Sequence, residues 1–343
     1  MVPLGIGAVS SVVSAAYGAV VGVRNAAFNL MPRLSKSAGL PTIGIGGIHA
    51  GGTGKTPVAL LAGAYVLSKG YEVAFLSRGY RRKTRGCVIS RPHSSDTWES
   101  VGDEPALLHA SLPQSWLGIC GNRYKSARAL TPVLSRKAAF ILDDAFQHRQ
   151  LKRDVDIACI PPGPISEALI PAGTLREPLS GLSRAHCICV IGTKGDGAAL
   201  QTSKRTLASR FPDAAIVLIQ QTPSAWVRLK TGEQRQTVPL LRPAALCGIA
   251  RPERFIFLLK NLGISLSAQS IFKDHHEYRP EEIESIAKRP GVSGIVTTEK
   301  DAVRLRSLKL VSWPDIWYLK IDLLFFDTES QRLFYGTIDR VLP

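Results

Sequence analysis

Between residues 51 and 57 the chain reads Gly51-Gly52-Thr53-Gly54-Lys55-Thr56-Pro57, which places an ammonium and a hydroxyl directly after a run of glycines. That combination suits a bound polyphosphate. Glycine backbone bends freely, unpaired N–H groups at a helix start converge on an anion, Lys reaches the β/γ-phosphates and Thr reaches Mg²⁺. The usual spacing asks for a glycine five places before Gly54, where this chain has His49; Gly46 and Gly47 lie just upstream. A reshaped phosphate loop is the expectation, and a plain glycine-rich turn is the alternative.

Carboxylates supply the second half of such chemistry. Ile141-Leu142-Asp143-Asp144 ends an apolar run in two acids, with Gln147 and His148 close behind. A strand-terminal Asp beside a phosphate loop is where a second Mg²⁺ contact belongs, although two Asp after a strand also serve as a cap. Gly102-Asp103-Glu104-Pro105 is a further acidic turn, downstream of Ser77-Arg78-Gly79-Tyr80-Arg81-Arg82-Lys83. Asp103 can cap the helix after it or take a proton from an attacking hydroxyl. Phe272-Lys273-Asp274-His275-His276-Glu277-Tyr278 gathers ionisable and aromatic groups. Its adjacent histidines face apart on any regular element, so one His offered across a cleft is expected rather than a dinuclear metal site. Thr298-Glu299-Lys300-Asp301 reads first as a helix cap and second as cleft lining. Arg176, in Pro171-Ala172-Gly173-Thr174-Leu175-Arg176-Glu177-Pro178, could grip a phosphate in two-pronged fashion.

These residues need a scaffold. Apolar runs at 42–45, 72–76, 117–120, 139–142, 157–160, 187–191 and 215–219 alternate with helical stretches. That pattern predicts a parallel sheet covered on both faces, with ligands at the carboxyl ends of its strands. Pro41 to Gly47 supplies the strand before the phosphate loop, and Pro57 fits the first helical turn. Trp226 to Glu233 alternates and ends in a turn signal, which suggests a two-stranded connector. Runs at 244–248, 264–272, 294–297 and 317–324, with a helix at 280–287, predict a smaller α/β unit. The expected division is residues 1–30, 31–224, 225–240 and 241–343.

The chain has 343 residues and a net charge of +16, an excess that favours anionic partners. Basic residues are not interleaved with aromatics along a strand face, so nucleic acid is not expected. Six cysteines without metal-type spacing are expected as reduced core thiols. The first 23 residues carry no charged side chain. Gly7, Ser11, Ser14, Gly18, Gly22 and Asn25 share a stripe of helix that permits close packing, while Val9, Val13, Val20 and Val23 lie elsewhere around it. The segment is read as a membrane-associated helix, with a helix packed on the protein's own body and a processed segment as alternatives.

Taken together the motifs resemble the tetraacyldisaccharide 4′-kinase family of lipid A biosynthesis. The likeness rests on Ala50 to Pro57, Ser77 to Tyr80, Gly102 to Pro105, Asp143-Asp144-Ala145-Phe146-Gln147-His148, Pro171 to Gly173, Leu175 to Pro178, Gly248 to Pro252, Asp274-His275 and Thr298 to Val303. The family's loop also lacks the first glycine, which accounts for His49. Two positions depart from it: Ala145 and Arg81 stand where the family often has glycine. The resemblance implies transfer of phosphate from ATP to the 4′-hydroxyl of an acylated disaccharide 1-phosphate. Ala50, Gly51, Gly52, Thr53, Gly54, Lys55, Thr56 and Gln147 would hold the nucleotide, and Thr56, Asp143 and Asp144 the Mg²⁺. Asp103 would be the base, supported by His275, with Lys55 at the transferred group and Arg78, Arg123 and Arg176 as substrate contacts. It further implies a P-loop NTPase-type fold working at the cytoplasmic face of the bacterial inner membrane. The rivals are a P-loop GTPase, suggested by Thr193-Lys194-Gly195-Asp196, and an ATPase switch at the membrane. Against the GTPase, no Asp-x-x-Gly follows the strand ending at Asp143.

Overall fold

The computed structural model describes residues 4–164, 168–310 and 312–342; for 4–9 it describes the backbone alone, so the surroundings of Gly7 and Val9 lie outside the described residues. Among the strands, β1 (Thr42–Gly46), β2 (Glu72–Ser77), β3 (Val88–Ser90), β4 (Trp116–Ile119), β5 (Ala138–Leu142), β6 (Val155–Ile160) and β7 (Cys187–Thr193) come first. They are followed by β8 (Ala215–Arg228), β9 (Gln234–Arg235), β10 (Ala244–Cys247), β11 (Ala268–Ile271), β12 (Ile295–Thr298) and β13 (Ile316–Phe325). The helices are α1 (Leu4–Leu30), α2 (Lys55–Ser68), α3 (Trp98–Val101), α4 (Asp103–Ser111) and α5 (Arg123–Leu130). After them come α6 (Gly197–Arg210), α7 (Pro252–Asn261), α8 (Pro280–Ala287), α9 (Glu299–Leu305) and α10 (Thr328–Asp339).

Strands pair in the order β11-β10-β12-β13-β8-β7-β6-β1-β5-β2-β4-β3, with β9 alongside β8. Among the described residues, β3–β4, β8–β9 and β8–β13 are the strand pairs that run antiparallel. Alternation within the central strands explains their continuous apolar runs. Ile43, Ile45, Phe75, Ile141 and Cys189 face one core with α2 and α10, while Ala74, Leu76, Phe140, Ile188 and Val190 face cores built on α5 and α6. Each strand is therefore buried twice, as a parallel sheet requires. Asp143-Asp144, the phosphate loop and Arg78 follow the carboxyl ends of β5, β1 and β2.

The long β8 lies between β7 and β13 in one continuous sheet. Its first half pairs with β7, and Ile219 to Arg228 pair with Phe325 to Trp317 of β13. Trp226 and Val227 of β8 pair with Arg235 and Gln234 of β9 in a hairpin that turns at Gly232 (φ 74°). β13 carries the chain back, so that α10 packs on the first half and Tyr335 stacks on Tyr65 with ring centroids 4.0 Å apart.

Two expectations need correction. Cys87 and Cys120 are joined in a disulfide, while Cys159, Cys187, Cys189 and Cys247 are free and buried. Val88 pairs with Ile119, which brings the flanking cysteines together with Cα atoms 4.6 Å apart. A three-residue strand such as β3 leaves too short a pattern to reveal this pairing. The run at 264–272 is a strand only over Ala268–Ile271.

α1 is a helix held against the body. Ser14 Oγ donates to Leu169 O (3.0 Å), Tyr17 Oη to Arg176 O (2.7 Å), and a Cβ at Gly18 would meet Leu169 at 2.7 Å. Part of the small-residue stripe is thus the packing face, although Ser11 and Gly22 are exposed. Val12, Val20 and Val23 are 71%, 70% and 73% exposed on the outer side. Among the described residues no helix is long and apolar enough to cross a membrane.

Candidate active site

The phosphate loop leaves β1 in a tight bend. A Cβ at Gly46 or Gly47 would run into the backbone of Phe146 or Cys159, so only glycine permits that approach. Gly54, the cap of α2, has φ 78°, and a Cβ there would lie 2.8 Å from Ile191. The segment before Arg176 braces the loop, through Ala50 N to Thr174 O (2.7 Å) and Arg176 N to Ile48 O (2.6 Å). His49 is buried within this brace, and burial, followed by the charges of Arg251 and Lys55, lowers its pKa.

One charge cluster forms where α2 meets the ends of β1 and β5. Thr56 Oγ1 donates to Asp143 Oδ2 (3.0 Å), Lys55 Nζ donates to Gly51 O (3.1 Å) and stands 3.6 Å from Asp144. Arg176 Nη1 reaches both oxygens of Asp144 at 2.8 and 2.9 Å. Asp143 and Asp144 titrate in opposite directions. Burial, then the charges of Glu104 and Asp144, raise the Asp143 carboxyl. Asp144 is also pushed up by burial, but Lys55, Arg176 and Arg123 outweigh this and hold it below its usual range. Arg123 is buried at the start of α5, which lowers its pKa to about 10; the charges of Asp144, Arg78 and Asp143 all act on it. Arg78 is exposed at the end of β2.

A second cluster joins distant parts of the chain. Asp103 Oδ2 lies 2.6 Å from His275 Nδ1, across 172 residues of sequence. Gly102 (φ 97°) is the cap of α4, so Asp103 is its first residue and not the cap the sequence suggested. Asp103 is 4% exposed. Burial works to raise its carboxyl, but the hydrogen bond from His275 and the charges of Lys300 and Arg304 outweigh burial and hold it below the ordinary value. His276 turns the other way, to Glu282 at 3.0 Å, as neighbours must. The two clusters are coupled through charge: Glu104, next to Asp103, is among the groups that raise the Asp143 carboxyl.

Three features escaped the sequence reading. Glu177 is fully buried and receives Gln147 Nε2 (2.7 Å), Asn25 Nδ2 (3.1 Å) and Arg184 Nη2 (2.9 Å). Gln147 also donates to Gly47 O (2.9 Å), so this residue, expected at the nucleotide, ties α1 to the loop through Glu177. Arg81 has φ 59°, a left-handed backbone that favours glycine, and donates to the carbonyls of Asp274 and His275. Lys300 enters the second cluster, while its neighbours cap α9 as expected, with Asp301 N donating to Thr298 Oγ1 (3.1 Å). Thr193 and Asp196, the guanine-like motif, close on each other in a local turn, Thr193 N donating to Asp196 Oδ2 (2.7 Å).

Comparison with known proteins decides the assignment. A family model described as tetraacyldisaccharide-1-P 4′-kinase matches residues 7–338. The chain belongs to this family. Tetraacyldisaccharide 4′-kinases of Chlorobaculum tepidum and Chlorobium limicola are 35% and 34% identical to it. These alignments cover 85% of both chains in the first case and 96% of both in the second. LpxK from Aquifex aeolicus, solved in complex with ATP, is 27% identical over 96% of this chain and 97% of its own, with a TM-score of 0.78. As a 4′-kinase family member the chain is a phosphotransferase of the lipid-sugar class, and the GTPase-switch reading is not favoured.

Proposed function

We propose that the protein transfers the γ-phosphoryl group of ATP to the 4′-hydroxyl of a tetraacylated glucosamine disaccharide 1-phosphate. The observation that carries this reading is a pair of clusters: the phosphate loop with Thr56 on Asp143 and Lys55 beside Asp144, and the buried Asp103–His275 pair, whose neighbour Glu104 helps raise the Asp143 carboxyl. In the transfer the 4′-oxygen bonds to phosphorus, the bond from phosphorus to the β,γ-bridging oxygen breaks, and the hydroxyl proton passes to Asp103. Asp103 is held ionised, the state a base needs, and its hydrogen bond to His275 aims the carboxylate. Such a base contributes about 10²–10⁴-fold.

Backbone N–H groups from Gly51 to Gly54 and the ammonium of Lys55 would grip the phosphates, while the N–H of Ala50 is spent on Thr174 O. Mg²⁺ fits the donors present: Thr56 offers a hydroxyl, Asp143 and Asp144 hard carboxylate oxygens, and crowding by Glu104 makes a cation welcome there. Among the described residues no group of three or more His, Cys, Asp or Glu could hold a metal alone; in kinases the ion draws further ligands from phosphates and water. When bound, it neutralises charge developing on the β- and γ-oxygens. Arg78, Arg123 and Arg176 are assigned to anionic groups of the substrates, Arg176 by exchanging Asp144 for a phosphate. The part after the β8–β9 hairpin serves as the smaller unit that closes the cleft, bringing His275.

The place of work is the cytoplasmic face of the inner membrane. Its support is the outer face of α1, where Val12, Val13, Val20 and Val23 stand in solvent while the inner face is bonded to the body. Such a helix suits lying in the interface rather than spanning it, and the +16 charge favours an anionic surface. Incubation with γ-labelled ATP and the acylated disaccharide in vesicles tests the whole reading. Label on the 4′-oxygen supports it; release of labelled phosphate to water alone, or a preference for GTP, defeats it.

A further inference from the structure

Lys300 has no part in the reaction as described so far, yet it occupies the centre of the second cluster. Its Nζ lies 3.1 Å from His275 Nε2, 3.6 Å from Glu104 Oε1 and 3.9 Å from Asp103 Oδ2. Asp103 and Glu104 begin α4, His275 follows β11, and Lys300 lies in the first turn of α9, so the group forms only where these elements meet. We infer that Lys300 is a positioning residue for phosphoryl transfer: its ammonium donates to His275 Nε2, which confines the ring proton to Nδ1 and directs it at Asp103. The inference rests on the kinase reading above.

Donor and acceptor roles place the ring proton. An ammonium can only donate, so at 3.1 Å the ring nitrogen facing it must accept. Nε2 then carries no proton, and the neutral ring keeps its single N–H on Nδ1, facing Asp103 Oδ2 at 2.6 Å. A ring protonated on both nitrogens would set an N–H against the ammonium. The other groups around the ring leave this arrangement in place. Asp274 Oδ2 stands 3.7 Å from Nε2, beyond hydrogen-bond range, and its other oxygen is 4.0 Å from Lys300. Tyr80 packs edge-on at 5.3 Å, and Arg81 holds the carbonyls of Asp274 and His275. Arg304 donates to His276 O (3.0 Å), and its charge reaches Asp103. With the proton fixed on Nδ1, Asp103 presents an ionised carboxylate in one orientation. Lys300 also contributes one of the positive charges that keep it ionised at lower pH.

The sign of the pH effect follows. Removing the Lys300 charge lets the Asp103 carboxyl rise, so the acidic limb of kcat/KM moves to higher pH. For Lys300→Met the expected shift is about one pH unit, with kcat down about 10-fold or more and KM for ATP within about twofold. Lys300→Arg, which can still donate to Nε2, recovers part of kcat and most of the pH profile. In parallel, ¹⁵N spectra of the His275 ring in the intact enzyme are expected to show a protonated Nδ1 and a bare Nε2, with this preference lost in Lys300→Met. The inference fails if Lys300→Met keeps the parent pH profile, or if the ring proton in the parent enzyme resides on Nε2. Should the parent enzyme lack kinase activity, the kinase reading fails, and the ring spectra still decide the role of Lys300.

Discussion

The phosphate-loop cluster and the Asp103 cluster divide the labour of one transfer by opposite means. The first is mostly local: Lys55 and Thr56 open α2 after β1, Asp143 and Asp144 follow β5, and β1 and β5 are adjacent strands. Cations surround it, with Lys55 and Arg176 on Asp144 and the charge of Arg123 nearby. It is suited to exchanging its internal partners for phosphate oxygens. The second is long-range and rich in acid, with Asp103, Glu104 and Asp274 around a single Lys300. It is suited to holding one proton at one atom. A site that binds charge can be made of exchangeable pairs, whereas a site that moves a proton needs fixed ones.

Substitutions in the two clusters should therefore fail differently. Lys55→Ala removes a group that both binds and stabilises the transferred phosphate; kcat/KM is expected to drop about 10³-fold, with ATP affinity measured by calorimetry falling too. If affinity survives intact, the first cluster does not bind the nucleotide as assigned. A smaller effect comes from acid. Because burial and neighbouring acids raise Asp143, lowering the pH protonates it and weakens its hold on a cation. The Mg²⁺ concentration for half-maximal rate should rise as pH falls from 8 to 6, by about 10-fold. A flat requirement would remove Asp143 from the metal. Smallest is Arg81→Gly. Glycine relieves the left-handed backbone but loses the bonds to two carbonyls, so stability should change by only about 1 kcal/mol. The kcat should fall by less than about 10-fold with ATP affinity untouched; a loss of ATP affinity would mean that the clusters are not separable.

This contrast also explains what the chain reveals when read as a string. The phosphate loop, the Asp143-Asp144 pair and the strand cores are written in short windows, because period and turn chemistry act locally. Even the Asp103–His275 pairing could be expected, since both residues sit in conspicuous acidic and aromatic turns. Lys300 was hidden behind a correct explanation of its neighbours: Thr298 and Asp301 cap α9, so cleft lining ranked only second for the two residues between them. Glu177 was hidden because its partners Asn25, Gln147 and Arg184 come from separate elements. The Cys87–Cys120 bridge depends on β3, whose three residues carry no legible period. The return of β13 along β8, and of α10 onto Tyr65, are pairings between distant segments, which composition and local pattern do not encode.

The central claim is that Asp103 serves turnover and not nucleotide capture. The most direct test is Asp103→Asn, an isosteric change, assayed for ATP affinity and for single-turnover transfer to the acylated disaccharide in the same preparation. The account predicts unchanged affinity with transfer slowed about 10²–10⁴-fold. Transfer at the parent rate, or loss of ATP binding in step with activity, would contradict it.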